Sequence, residues 1–153
     1  MHRRLQIIAC SALAGLLVAC GSTGARVVTT TNDADAQAFV NKSILDIFGH
    51  WNADALEQLG DPTVYDAVRM ERARKNFAKL SNQLGPFVSY GGAQGKTEIR
   101  TERDGTETKR AHYGGKLKYR HGSLVVHMDA YKQRGAWIIR SATMQPLVNK
   151  KKR

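Results

Sequence analysis

The spacing of the apolar residues changes once along this chain, at Gly85-Pro86, and that change fixes the class of fold. Before it, apolar residues recur at three- and four-residue steps, as on one face of a helix. After it they alternate, as on one face of a strand. Ala36, Phe39, Val40, Ser43, Ile44, Ile47, Phe48 and Trp51 mark a first helix that Asn32 or Asp33 caps. Asn52-Ala53-Asp54 opens a short second helix to Leu59, and Gly60-Asp61-Pro62 stops it. A third helix carries Tyr65, and Val64, Val68, Ala73, Phe77, Leu80 and Leu84 form its apolar stripe, with Arg69, Arg72, Lys75 and Lys79 mostly elsewhere around it. Gly85 suits the cap of that helix, and Pro86 cannot continue its hydrogen-bond ladder.

Beyond Phe87 the pattern is that of a meander. Thr97 to Arg103 and Thr106 to His112 flank Asp104-Gly105, whose pairing predicts a type I′ hairpin turn. Gly91-Gly92-Ala93-Gln94-Gly95 reads as a loop or bulge between strands, and Gly114-Gly115 as a bulge or bend. Lys116 to Arg120 alternate, His121-Gly122 turns the chain, and Arg134-Gly135 turns it again into a last strand where Trp137 and Ile139 share a face. No repeat of 20 to 50 residues appears.

The expected fold is therefore α+β, with three N-terminal helices packed on one face of an antiparallel sheet of about four strands. This order resembles the nuclear transport factor 2-like (cystatin-like cone) superfamily over residues 34–146. The resemblance lies in Trp51 near the end of helix one, Leu84-Gly85 closing helix three, and the late strand Gly135-Ala136-Trp137-Ile138-Ile139. It implies a strongly bent sheet around a conical apolar cavity, which Tyr65, Tyr90, Tyr113 and Trp137 are candidates to line, and a small apolar ligand is one candidate occupant. Some members of the superfamily are isomerases or dehydratases with an aspartate base or hydroxyl donors inside the cone; others only bind. Here Glu98, Glu102 and Asp129 fall outside or at undecided positions, so a non-catalytic role is expected.

On the strand after Gly122, Leu124, Val126, Met128 and Ala130 form the core face, which places Val125, His127, Asp129 and Tyr131 on the convex side. His127 and Asp129 share that face and could make an acid-base pair, but exposed strand residues explain them more simply. Val125, His127 and Tyr131 form a candidate patch for pairing two protomers or docking a partner protein.

Two features set the expected address. His2, Arg3 and Arg4 precede an apolar run from Leu5 to Ala19 that is interrupted by Gln6 and Ser11. This is a secretory signal layout, short of the roughly twenty residues that a spanning helix needs. The run ends in Leu17-Val18-Ala19-Cys20-Gly21, which resembles the lipobox of bacterial lipoproteins. That resemblance implies removal of residues 1–19 and diacylglyceryl and fatty acyl groups such as palmitate on Cys20. Gly21 stands where an aspartate would retain the protein at the inner membrane, so outer-membrane sorting toward the periplasm is expected. Only five residues separate Cys10 from Arg4, too few for an apolar core. Residues 20–33 read as a linker after the lipidated cysteine, and residues 147–153 as a disordered basic tail.

Once Cys10 leaves with the signal, Cys20 has no partner for a disulfide within the chain, so packing must stabilise the domain. Charge is uneven: residues 20–89 balance at −1, whereas residues 90–153 carry +10. That basic half could bind anionic lipid headgroups, acidic polysaccharide or, as the least expected partner, nucleic acid. Solvated strand faces and guarded edges are the plainer reading. No His/Cys/Asp cluster at metal spacing, phosphate loop or G-x-S-x-G elbow occurs, so no metal or cofactor is expected.

Overall fold

Asp33 caps the helical half of the domain, its Oδ1 accepting from the Ala36 N–H at 3.0 Å. The computed structural model describes residues 26–30, 33–101 and 104–148. Helix α1 (Ala34–Ile44) runs into a π-helical segment, Leu45–Gly49. Asn52 caps α2 (Ala53–Leu59) through the Ala55 N–H, and Asp66 caps α3 (Ala67–Leu84) through that of Arg69. Five strands form one sheet: β1 (Arg26–Thr30), β2 (Phe87–Thr101), β3 (Glu107–Tyr119), β4 (Gly122–Gln133) and β5 (Ala136–Val148). Their spatial order is β1-β2-β3-β4-β5, with every adjacent pair antiparallel.

The α+β class stands, with several corrections to its detail. Four antiparallel strands follow the helices as expected, but a further strand, β1, precedes them, so the helices are not all N-terminal and the sheet has five strands. Arg26–Thr30 lies in the stretch read as linker; four of its residues are β-branched, which favours a strand even without alternating polarity. Residues Phe87–Thr101 form one strand, and the glycine run is a bulge within it, marked by a register shift between Tyr90 and Ala93. Gly114-Gly115 is not bulged; its role is close approach, since a Cβ at Gly115 would stand 2.8 Å from the Tyr90 ring and one at Gly114 2.9 Å from His127. Arg134-Gly135 has positive φ at both positions, 50° and 84°, as a type I′ turn requires, and Gly105 in the other hairpin has a φ of 82°. Tyr65 and Val64 precede α3, Val68 is exposed, and the buried stripe is Met70, Phe77 and Leu84. Strand β5 reaches Val148 beside Gly122, so the expected basic tail overlaps the sheet at Leu147 and Val148; its remainder lies outside the described residues.

The core lies between the helices and one face of the sheet. The stripe expected for α1 is largely buried, with Ala36, Val40, Ile44, Ile47 and Phe48 at 0–1% exposure. Leu117, Leu124, Val126, Met128 and Ile139 meet it from the strands. Aromatic rings join the two layers: Trp51 stacks on Tyr119 at 5.3 Å and meets Phe77 edge-on at 5.7 Å, while Phe48 also meets Phe77 edge-on. Within that cluster the Tyr119 hydroxyl donates to the Phe48 carbonyl at 2.6 Å. Phe48 lies in the π-helical segment, where the helix ladder is broken, so its acceptor gains a partner from the sheet.

The start of α1 is tied to the strands by charge. Asp33 Oδ2 accepts from Lys109 Nζ at 3.2 Å; Asp35 Oδ2 accepts from Trp137 Nε1 at 2.9 Å and from Lys132 Nζ at 2.5 Å. The Ala36 N–H and Lys109 hold the Asp33 carboxyl below its ordinary value, and Lys132 and Trp137 do the same for Asp35. Trp137 stacks on Phe39 at 6.1 Å, so helix and sheet also meet through apolar surface here.

Two outcomes follow from these ties. Tyr119→Phe leaves the buried Phe48 carbonyl without a donor and should destabilise the fold by about 1–3 kcal/mol, read from the midpoint of urea unfolding. A carboxyl whose folded-state pKa is depressed stabilises the fold above its unfolded value and loses that contribution as pH falls toward the folded value. The stability gap between the unmodified chain and Asp35→Asn should therefore narrow as urea titrations move from pH 7 to pH 3, through the ordinary aspartate value of 3.8.

Candidate functional site

The helices cover only one face of the sheet, and strand alternation sends every second side chain to the other. On β4, Leu124, Val126, Met128 and Ala130 are buried while Val125, His127, Asp129 and Tyr131 are not, as the sequence pattern required. Cross-strand register assembles the outer face from these positions: His112 lies opposite Asp129, Asp129 opposite Ser141, and Arg110 opposite Glu98.

His112 and Asp129 carry a hydrogen-bonded row across three strands. Ser141 Oγ donates to Asp129 Oδ2 at 2.8 Å, and His112 Nδ1 lies 2.8 Å from Asp129 Oδ1. On its other side His112 Nε2 is 3.9 Å from Glu98 Oε2, and Glu98 pairs with Lys96 at 3.0 Å. Lys96 is the main reason the Glu98 carboxyl is held below its ordinary value. In this row the carboxylate is central and takes the Ser141 proton-side bond itself. Ser141 is therefore not aimed at an imidazole base, and the geometry orients His112 rather than activating a nucleophile.

Two open concavities flank the row. The larger, about 730 Å³, is lined by Arg100 of β2, Arg110 and His112 of β3, Tyr131 of β4, Arg140 of β5 and Asp61. Asp61 reaches this face because the segment after α2 runs along the edge of β5, with the Asp61 N–H donating to the Ile139 carbonyl at 2.9 Å. The Tyr131 hydroxyl donates to Asp61 Oδ2 at 2.9 Å, and the Thr63 hydroxyl and N–H donate to Oδ1 at 2.7 and 2.9 Å. Those donors, with Thr63 the strongest, hold the Asp61 carboxyl below its ordinary value; slight burial and Asp61 push the Tyr131 phenol up. Arg100, Arg110 and Arg140 are exposed and stand in no salt bridge among the described residues. Guanidinium groups in that state suit carboxylate or phosphate oxygens, which their planar forks engage two at a time.

The smaller concavity, about 610 Å³, is bordered by Val125, His127 and His112 and floored by Gly92, Gly114 and Gly115. Of the candidate interface residues, Val125 and His127 therefore share a surface, while Tyr131 belongs to the larger groove.

The four residues expected at one cavity stand in four places. Tyr65 borders a helix-side cavity of about 140 Å³ with Phe48, Leu56, Phe77 and Met144, and burial pushes its phenol up. The Tyr90 hydroxyl donates to Asn41 Oδ1 at 3.1 Å, and burial pushes its pKa up to about 12. The same Asn41 oxygen accepts from the Ala93 N–H at 2.7 Å, which satisfies the bulge in β2. Tyr113 is buried with its hydroxyl 3.3 Å from Thr97 Oγ1, and Trp137 is bound to Asp35. The cavity at Tyr65 is well below the roughly 300 Å³ at which ligand pockets begin.

His112, Ser141 and the three arginines were not legible as a group. His112 and Arg110 lie two residues apart on β3 and share a face, but their partners depend on a register that no local pattern carries. Cys20, Glu102 and the run Lys150-Lys151-Lys152-Arg153 lie outside the described residues. Among the described residues, no group of three or more His, Cys, Asp or Glu could hold a metal ion. No protein-family model, curated protein or solved structure matches the chain.

Asp129→Ala should release both of its partners. Long-range nitrogen-proton correlation spectra of the imidazoles should show His112 leaving a single Nδ1-bonded tautomer for a mixture, with the His127 signals unchanged. The pair is half-exposed, so the stability cost should stay near or below about 1 kcal/mol.

Proposed function

We propose that this chain is an envelope lipoprotein, cut before Cys20 and anchored through lipid on that residue, whose domain binds a partner or ligand without catalysing a reaction. The observation that carries the reading is the sequence Leu17-Val18-Ala19-Cys20 at the end of an apolar run too short to span a bilayer. Two or three acyl chains hold a protein durably, because each buried methylene adds about 0.8 kcal/mol. Among the described residues no helix is long and apolar enough to cross a membrane. Gly21 favours the outer membrane, with the domain facing the periplasm.

The sheet is proposed to curve as in the cone-like superfamily. The helix and strand order and the register shifts at Tyr90/Ala93 and Asp129/Ala130 support it, since bulges bend the strands that carry them. Binding is assigned to the outer face rather than to the cone, because the larger concavities lie there and the cavity at Tyr65 is small. Self-pairing of two such faces is the weaker arrangement: Lys96, Arg100, Arg110, Lys116 and Lys118 all lie on this face, and like charges would meet. An anionic partner fits it better.

Intact mass spectrometry of the protein from its membrane should give an N-terminal Cys20 bearing acyl groups. Cys20→Ser should leave the chain unacylated and move it to the soluble fraction after a high-salt wash. An unmodified Cys20, or a serine variant that stays with membranes after that wash, overturns the reading.

A further inference from the structure

We infer that the groove between Arg100, Arg110 and Arg140 docks on the phosphate headgroups of the anionic membrane surface to which the chain is tethered, an inference that rests on the lipid anchor proposed above. The tether itself sets which part of the domain meets the bilayer. Cys20 and the first residue of β1, Arg26, are separated by five residues, a reach of at most roughly 20 Å even when fully extended.

Arg26 pairs with Thr101, at the tip of the β2–β3 hairpin, and the β4–β5 turn at Arg134-Gly135 lies at the same end of the sheet. Arg100 is one residue from that end, Arg110 three and Arg140 four, so all three lie within roughly 14 Å of it along the strands. The opposite end, where Tyr119 pairs with Gly122 and Gly122 with Val148, is roughly 36 Å away along β4. Lys116 and Lys118 stand nearer that far end, and Val148 leads into the basic C-terminal run there, so neither is counted in the contact.

The groove suits a phosphate diester locally rather than through a broad field. Asp104 and Glu107 are exposed at the hairpin tip, so this end is not uniformly positive. Arg100, Arg110 and Arg140 come from three different strands and face one concavity, while its carboxylates are already engaged: Asp61 by Thr63 and Tyr131, and Asp129 by His112 and Ser141. Guanidinium groups hold phosphate oxygens in pairs, and each basic side chain close to an anionic leaflet raises binding by roughly fivefold.

The test uses the acylated full chain, reconstituted in vesicles of phosphatidylcholine alone or with phosphatidylglycerol. A fluorophore is placed on Thr106→Cys at the near end or on Ser89→Cys at the far end, and headgroup-labelled lipid serves as quencher. Quenching of the Thr106 label in anionic vesicles only, with the Ser89 label unaffected, is expected. Arg100→Gln with Arg110→Gln should reduce the docked-to-undocked ratio roughly twenty-five-fold. Equal quenching in both lipids, or quenching that survives the double substitution, overturns the groove while leaving the anchor intact. Arginine-dependent binding of inorganic phosphate by the acylated chain, with no quenching of the Thr106 label in anionic vesicles, assigns the groove to soluble anions and also overturns it. If mass spectrometry shows no acyl groups, the anchor fails separately. Arginine-dependent sedimentation of that chain with anionic vesicles then retains the groove, and its absence removes it.

Discussion

Tyr119 is the point at which the two layers of this domain are joined. Its ring stacks on Trp51 and meets Phe87, Trp51 meets Phe77, and its hydroxyl satisfies a carbonyl of the π-helical segment. One side chain at the end of β3 thus contacts residues from the end of the first helical stretch and the start of β2, and reaches α3 through Trp51. The π-helical segment creates the need, because its altered ladder leaves Phe48 O open to a side-chain donor. Burial then makes the bond costly to lose, and pushes the Tyr119 phenol far above its ordinary value.

With one face of the sheet spent on this core, the other is free to carry polar chemistry. Antiparallel sheets tolerate that division because alternating side chains sort themselves between core and solvent. The start of α1 and the segment between α2 and α3 divide side chains between the two faces. The first turn of α1 holds Lys109 and Lys132 on the helix side through Asp33 and Asp35, and the segment after α2 brings Asp61 round the edge of β5 to Tyr131. What remains on the outer face is the pair of concavities, with the His112–Asp129–Ser141 row between them and three arginines along one side.

Much of the scaffold was legible because its causes are local. The α1 stripe from Ala36 to Phe48, the caps at Asp33 and Asn52, the stop at Gly85-Pro86 and the alternation of β4 each depend on residues a few positions apart. Illegible features had non-local causes. Arg26–Thr30 has no alternating apolar pattern and is a strand because β2 offers it an edge. Gly114-Gly115 announces a break in sequence, yet the strand is regular there and the missing side chains make room for Tyr90 and His127. Tyr65, Tyr90, Tyr113 and Trp137 are similar residues in the sequence, but packing gave each a different neighbour.

The sequence by itself determined the α+β class, the limits of α2 and the end of α3, the inner and outer faces of β4 and, through Leu17-Val18-Ala19-Cys20, the expectation of a lipid anchor. Each follows from hydrophobic period, capping or a short motif, which act over a few residues. Tertiary structure alone decided that His112 meets Asp129, that Asp61 reaches Tyr131 across 70 positions, and that Arg100, Arg110 and Arg140 border one groove. Those contacts depend on which strand lies beside which and in what register, and register is settled by burying the whole core at once rather than by any one segment.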